Sequence, residues 1–286
     1  MLRKKPTLMG NLIRHLIILV FVGFALFPVV WIFSASICPV GTISGQELIP
    51  DNPTLDNYRY LFETTRHPFP AWLLNSFAIS MITAVLSVIM IALAAYAFSR
   101  FRFSWRRKGL FTILLVQIFP PMLAMVAIYL LFMELGNFIP WLGLNTRSAL
   151  VVVYLGGALG INTWLMKGYL DTIPRSLEES AYIDGATPFQ AFLLIIMPLA
   201  RPILAVVFIL TFIHTYSEFV LARALLTSSD KFTLPVGMYF FIAEQYGQRW
   251  GIFSAASMLG AIPIVLIFLA AQKYIVSGIT RGAVKE

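Results

Sequence analysis

The sequence predicts an all-α polytopic membrane protein with six transmembrane helices and a cytoplasmic helix-turn-helix between spans four and five. Three observations carry this expectation. Of the 286 residues, 59% are hydrophobic and only 12% are charged, and mean hydropathy is +0.83. Soluble domains carry about 25% charged residues, and a water-soluble core of this size cannot hide so much apolar surface. Six charge-poor runs approach or exceed the ~20 residues a helix needs to cross a bilayer. The 21 Lys and Arg residues sort between alternate runs, which explains the net charge of +8 better than a nucleic-acid partner does.

The runs are Leu16–Ile37, Phe77–Phe98, Gly109–Met133, Ser148–Met166, Pro202–Ala222 and Gly251–Gln272, within a single transmembrane domain covering 1–286. Backbone groups in lipid must be paired internally, and the runs lack the alternation of a barrel strand, so each reads as a helix. Arg3, Lys4, Lys5 and Arg14 precede the first run as in a signal peptide. That run is longer than a usual signal core, so it reads as a retained span. The single cysteine, Cys38, permits no internal disulfide.

Orientation follows from the basic residues. The N-terminus, the loops after spans two and four, and the C-terminus hold fifteen; the three intervening loops hold Arg59, Arg66, Arg147, Arg223, Lys231 and Arg249. Both termini are therefore expected in the cytoplasm, as an even number of spans requires. The first outward loop places Leu55, Tyr58 and Phe62 on a weakly amphipathic face suited to a membrane surface.

The loop at 171–199 is the most informative stretch. Pro174 suits the first turn of a helix, with Asp171 or Thr172 as its cap. Leu177, Ala181 and Ile183 mark an apolar side. Gly185 is placed to end that helix in the left-handed conformation. Thr187-Pro188 then reads as a new cap and first position, and Phe189, Phe192 and Ile196 follow on one face before Pro198 stops the helix.

The order of residues here, Glu179-Ser-Ala181, Asp184-Gly185-Ala186 and Ile195-x-Met197-Pro198, resembles the EAA loop of ABC importer permeases. Ser180 stands where that pattern has Ala, and Met197 where it has Leu. Ala95–Arg100, Gly143–Thr146, Tyr154–Gly157, Lys167–Tyr169, Ile203–Leu210 and Gly278–Lys285 resemble the binding-protein-dependent sugar permeases, although Glu286 replaces a terminal Gly. The likeness covers essentially the whole chain, and is weakest over 1–50 and 212–250. It implies a permease subunit of a maltose/maltodextrin-type importer. Its partners would be a second permease, two ATPase subunits and an external sugar-binding protein.

On this resemblance Glu178, Glu179, Ala181, Asp184, Gly185, Ala186, Phe192 and Pro198 form a coupling helix seated on the ATPase. Gly282, Val284 and Lys285, in a tail at 277–286 that should be disordered on its own, reach along the ATPase dimer. Gln245, Tyr246 and Arg249 touch the binding protein; an aromatic belt at the membrane surface is the simpler account of Trp250. The chain lacks G-x-x-x-x-G-K-[ST], so no cofactor is expected on it, and ATP and Mg belong to the partner ATPase.

Other polar residues are weighed singly. His214 and Glu218 are four residues apart in the fifth run, on one helix face. They line the transport pathway or serve a local structural role. A proton-coupled secondary transporter using this pair is the rival function, though few other intramembrane charges accompany it. Pro120-Pro121 should bend the third span. Gly156 and Gly160 suggest a close helix contact in the fourth. Cys38, His67 and Asn75 read as ordinary interfacial residues. No metal-ligand spacing or nucleophilic triad is evident, so the chain is not expected to be an enzyme.

Overall fold

The computed structural model describes residues 8–39, 48–118, 120–243 and 249–283. Its helices are α1 (Leu8–Ile37), α2 (Asp56–Glu63), α3 (Phe69–Arg100), α4 (Arg106–Ile118), α5 (Pro121–Phe138), α6 (Arg147–Ala158) and α7 (Gly160–Asp171). They continue as α8 (Ser176–Ile183), α9 (Pro188–Ala191), α10 (Met197–Leu199), α11 (Arg201–Ser217), α12 (Val220–Leu225), α13 (Leu234–Tyr239) and α14 (Trp250–Ala283). No strand occurs among the described residues, as expected for an all-α chain.

Three helices, α1, α3 and α14, are long and apolar enough to cross a membrane alone; up to three further spans arise if each bent helix pair counts as one. The long helices overrun their apolar runs: α3 begins eight residues before Phe77 and α1 eight before Leu16. Hydropathy marks the hydrocarbon slab, whereas the hydrogen-bond ladder propagates beyond it at no new nucleation cost. For the same reason α14 continues to Ala283, into the tail at 277–286; residues 284–286 lie outside the described residues.

The chain divides into two compact units. In the first, Met1–Phe69 with Met238–Ala261, residues 12–33 of α1 are exposed around the whole helix. An apolar helix exposed on every side is matched to lipid or to another chain. Its C-terminal end is anchored, with the Asn57 amide donating to the carbonyls of Ser36 (2.9 Å) and Cys38 (3.0 Å) and satisfying terminal acceptors. Ser36 Oγ lies 2.7 Å from the Tyr58 hydroxyl. Leu55 and Phe62 are exposed, whereas Tyr58, expected on the same face, is half-buried.

The second unit, Pro70–Gly237 with Ile262–Glu286, holds the bent pairs. α4 and α5 meet at 97° and α6 and α7 at 52°. At the first junction Pro120 is extended (ψ 122°) and Pro121 opens α5; the prolines break the span outright. At the second, Gly160 is where a side chain would collide with Gln117. Gln117 fills the gap: its Oε1 accepts from the Ile161 N–H (2.7 Å) and its Nε2 donates to the Gly157 carbonyl (3.3 Å). The expected Gly156–Gly160 helix contact is corrected accordingly. No atom lies near a Cβ built on Gly156, and Gly160 receives a side chain. Asn75, expected to be merely interfacial, is buried and donates to the carbonyls of Asp230 (2.9 Å) and Phe232 (3.0 Å).

The unit's core joins Ile91, Ala92, Ala95 and Tyr96 of α3 to Met166 and Leu170 of α7, Phe192 and Ile196, and Ile203 and Val207 of α11. The 171–199 segment is built on this core.

Candidate functional site

The segment is a helix-turn-helix whose local geometry is written in its own residues. α8 ends at Asp184, and Gly185 adopts φ +86°. The N–H of Ala186 reaches the Ala181 carbonyl (2.9 Å) and that of Gly185 the Tyr182 carbonyl (3.1 Å), the bond pair that closes a helix through a left-handed glycine. Thr187 then opens α9 with a reciprocal cap: its hydroxyl accepts from the Gln190 N–H (3.3 Å), and the Gln190 side chain accepts from the Thr187 N–H (2.8 Å). Each device stabilises a helix end by about 1 kcal/mol. Pro198 has no N–H to offer the carbonyls of the preceding turn. Phe192–Ile196 widens into a π turn just before it, and the axis bends 78° into α11. The helix therefore stops one residue beyond Pro198, at Leu199.

The start of the segment departs from expectation. Asp171 is the last residue of α7 and not a cap, and α8 begins at Ser176 without a side-chain cap. Asp171 is held instead by Lys167 Nζ (2.5 Å) and Ser99 Oγ (2.6 Å), and Thr172 Oγ1 donates to the Tyr169 carbonyl (2.7 Å). Ile183, expected on the apolar side, is 87% exposed. The residues between α7 and α8 rotate α8 so that Glu178 and Ala181 face inward.

Of the residues singled out from sequence, Glu178, Ala181 and Phe192 are buried, Ala186 is half-buried, and Glu179, Asp184, Gly185 and Pro198 are exposed. The Tyr96 hydroxyl donates to Glu178 Oε1 at 2.8 Å, and Arg100 Nε pairs with Oε2. The Arg100 and Glu178 side chains are 8% and 4% exposed. Removing one partner of such a buried pair costs about 3–5 kcal/mol, because the other charge is left uncompensated. Arg100 Nη2 also donates to the Ile173 carbonyl (3.0 Å), Arg175 to the Ser99 carbonyl (3.1 Å) and Arg106 to the Phe98 carbonyl (2.5 Å). The Phe98 and Ser99 carbonyls at the end of α3 are thus met by cations, which also suit the negative end of a helix. Tyr96 stacks obliquely on Phe192, with centroids 4.8 Å apart.

The outer surface of the segment carries Glu179, Asp184, Ile183, Phe189 (61% exposed) and Leu194 (73%). The segment thus exposes both acidic and large apolar side chains while Glu178, Ala181 and Phe192 are buried. Sequence reasoning missed the partners of this segment within the chain, Tyr96, Ser99 and Arg100. From sequence they enter only through the likeness of Ala95–Arg100 to the sugar permeases and, for Arg100, as a marker of membrane side.

The remaining candidates are not part of this segment. Glu218 sits beyond the end of α11, in extended conformation (ψ 130°). Its carboxylate accepts from the Leu221 N–H (2.8 Å), the Ala222 N–H (3.0 Å) and the Tyr154 hydroxyl (2.6 Å). It caps α12. His214 is exposed on α11, so the two do not share one helix face as expected. Arg249 donates to the Tyr60 hydroxyl (2.6 Å) and lies over that ring at 5.2 Å. Gln245, Tyr246, Val284 and Lys285 lie outside the described residues, and Gly282 lies in α14. No metal-ligating cluster occurs among the described residues.

Residues 87–281 match the family model "Binding-protein-dependent transport system inner membrane component". The chain is 43% identical over 282 residues to the maltose/maltodextrin transport system permease protein MalG of Vibrio parahaemolyticus, covering 95% of this chain and 94% of that one. It is 42% identical to the MalG of Salmonella typhimurium, covering 100% and 99%. In structure it is similar to a chain of a bacterial ABC transporter involved in alginate import, with a TM-score of 0.75, 24% identity and coverage of 96% and 99%.

Proposed function

The chain belongs to the family of binding-protein-dependent transport system inner membrane components, and from that premise we propose that it forms half of the translocation pathway of a maltose/maltodextrin importer. As a permease subunit of an ABC sugar importer it is a multi-pass membrane protein and not an enzyme. The substrate class follows the two MalG relatives, each aligned over nearly its whole length.

Its partners are a MalF-like second permease, two MalK-like ATPases that bind ATP and Mg, and an external sugar-binding protein. It sits in a bacterial cytoplasmic membrane with both termini in the cytoplasm. Closure of the ATPases moves the 171–199 segment, and the spans then open the shared cavity outward. ATP is bound elsewhere, so this chain contributes only through contacts that differ between the two states.

One observation supports this reading most directly: a rigid helix-turn-helix, locked by Gly185 and by the Thr187–Gln190 cap, presents Glu179, Asp184, Ile183 and Phe189 outward. Glu178, Ala181, Ala186 and Phe192 support that surface from beneath, and Pro198 is exposed at the end of the segment. Gly282, Val284 and Lys285 extend the ATPase contact, and Gln245, Tyr246 and Arg249 meet the binding protein. The His214–Glu218 pair gains no support as a proton relay, since Glu218 is occupied as a helix cap.

The test is to purify complexes carrying Gly185→Val or Glu179→Lys. The expected result is normal insertion and normal association with the second permease, with ATPase retention or stimulated hydrolysis lost and uptake abolished. Normal uptake with Gly185→Val removes the coupling assignment.

A further inference from the structure

We infer that Glu178, Arg100 and Tyr96 form an internal joint that fixes α8 to α3, so that a displacement of the coupling helix is delivered to that span. The inference rests on the coupling reading and adds to it where in this chain the motion goes.

The backbone alone does not orient α8. It is separated from α7 by four non-helical residues and from α9 by four more. Its attitude is set by contacts to the last turn and a half of α3. Glu178 uses both carboxylate oxygens, one on the Tyr96 hydroxyl and one on Arg100 Nε. The approach to α8 is tied to the same turn, through Arg100 to the Ile173 carbonyl, Ser99 to Asp171, and Arg175 to the Ser99 carbonyl. The Tyr96 ring also packs on Phe192 beyond the turn, so both arms of the segment bear on it.

A buried, charge-assisted network with all its groups engaged has one arrangement and resists shear, which is what carries displacement between elements. Glu178 is therefore a positioning residue. It faces away from the surface that carries Glu179 and Asp184, and its chemistry is spent inside the chain.

The test uses the reconstituted importer with Glu178→Gln, Arg100→Gln, the double variant, and Tyr96→Phe. Each single Gln variant should retain the ATPase and its basal hydrolysis while uptake falls about tenfold or more, the scale of a lost charged hydrogen bond. Binding-protein stimulation should fall in parallel. The double variant should be no worse than either single, because both remove one shared interaction. Tyr96→Phe deletes one hydrogen bond and leaves the ion pair intact; it should insert normally and show a smaller loss with the same signature. It carries the test if the charge-neutral variants fail to assemble.

Release of the ATPase by Glu178→Gln, as expected of Glu179→Lys, would make Glu178 a partner contact and overturn the joint while leaving the coupling reading intact. Additive losses in the double variant, or unchanged uptake with Tyr96→Phe, would also overturn it. Full ATPase retention and uptake with Gly185→Val would instead defeat the coupling reading.

Discussion

At the scale of single residues, Gly185 and Glu218 illustrate opposite kinds of evidence. Gly185 occupies φ +86°, and no neighbouring atom lies near the Cβ position. A side chain there is opposed by backbone strain alone, about 1–2 kcal/mol for an ordinary residue and more for a β-branched one. Gly185→Ala is therefore expected to keep partial uptake and Gly185→Val to lose it, as measured by sugar accumulation in cells with equal permease levels. Gly237 is the reverse case: its φ is ordinary, but a methyl group would collide with the Trp72 ring. Gly237→Ala should destabilise the solubilised protein by about 1–3 kcal/mol, the usual cost of overpacking, which thermal unfolding in detergent will read. Glu218 holds α12 through two backbone N–H groups and the Tyr154 hydroxyl. Glu218→Gln keeps one accepting oxygen but turns an amide NH2 toward the other backbone N–H, so it should lower thermal stability by about 1–3 kcal/mol and leave uptake with no change in pH dependence. Abolished uptake at normal expression would return Glu218 to the pathway.

At the scale of elements, the breaks are the informative features. Gln117 bridges the α6–α7 junction from the last full turn of α4, directly before the Pro120–Pro121 break. A side chain of one bent helix pair thus serves the bend of another. Freed backbone groups at membrane depth must find such partners or a water-lined cavity. Gln117→Leu strands the Ile161 N–H, so it should lower thermal stability by about 1–3 kcal/mol. Equal stability of Gln117→Leu and the parent protein would show that the bridge contributes nothing. The Thr187–Gln190 cap is a local device of the same rank; Thr187→Ala should cost about 1 kcal/mol and weaken coupling before assembly.

At the scale of the whole molecule, topology is the open quantity. Reporter fusions after Asn57, Thr146 and Ser228 should report outside, and those after Trp105 and Ser176 inside. An outside signal at Ser176 would be incompatible with ATPase docking on the 171–199 segment. Deleting Gly282–Glu286 should lower complex yield or uptake without disturbing insertion, because the deletion begins at the end of α14, beyond its apolar run. Unchanged uptake and coupling would dismiss a role for the tail. Cross-linking from a cysteine at Gln245 to the binding protein, in a complex trapped facing outward, tests the outer contact; its absence would leave Trp250 as a belt residue.

By itself the sequence determined the membrane class, the helical content and the turn from Gly185 to the Thr187 cap. Those properties are local: apolar run length sets the class, the lack of backbone partners in lipid imposes helices, and a left-handed Gly185 and a Thr187 cap act within five residues of themselves. The tertiary structure decided the rest. Glu178 finds Tyr96 82 residues away and Arg100 78 residues away. Glu218 leaves its helix to cap the next, Gln117 reaches a gap beside Gly160 across 44 residues of sequence, and Asp171 finds Ser99 rather than an N-terminus. Each depends on which helices lie side by side. That is set by the packing of many apolar side chains at once, and no pattern within one helix specifies it.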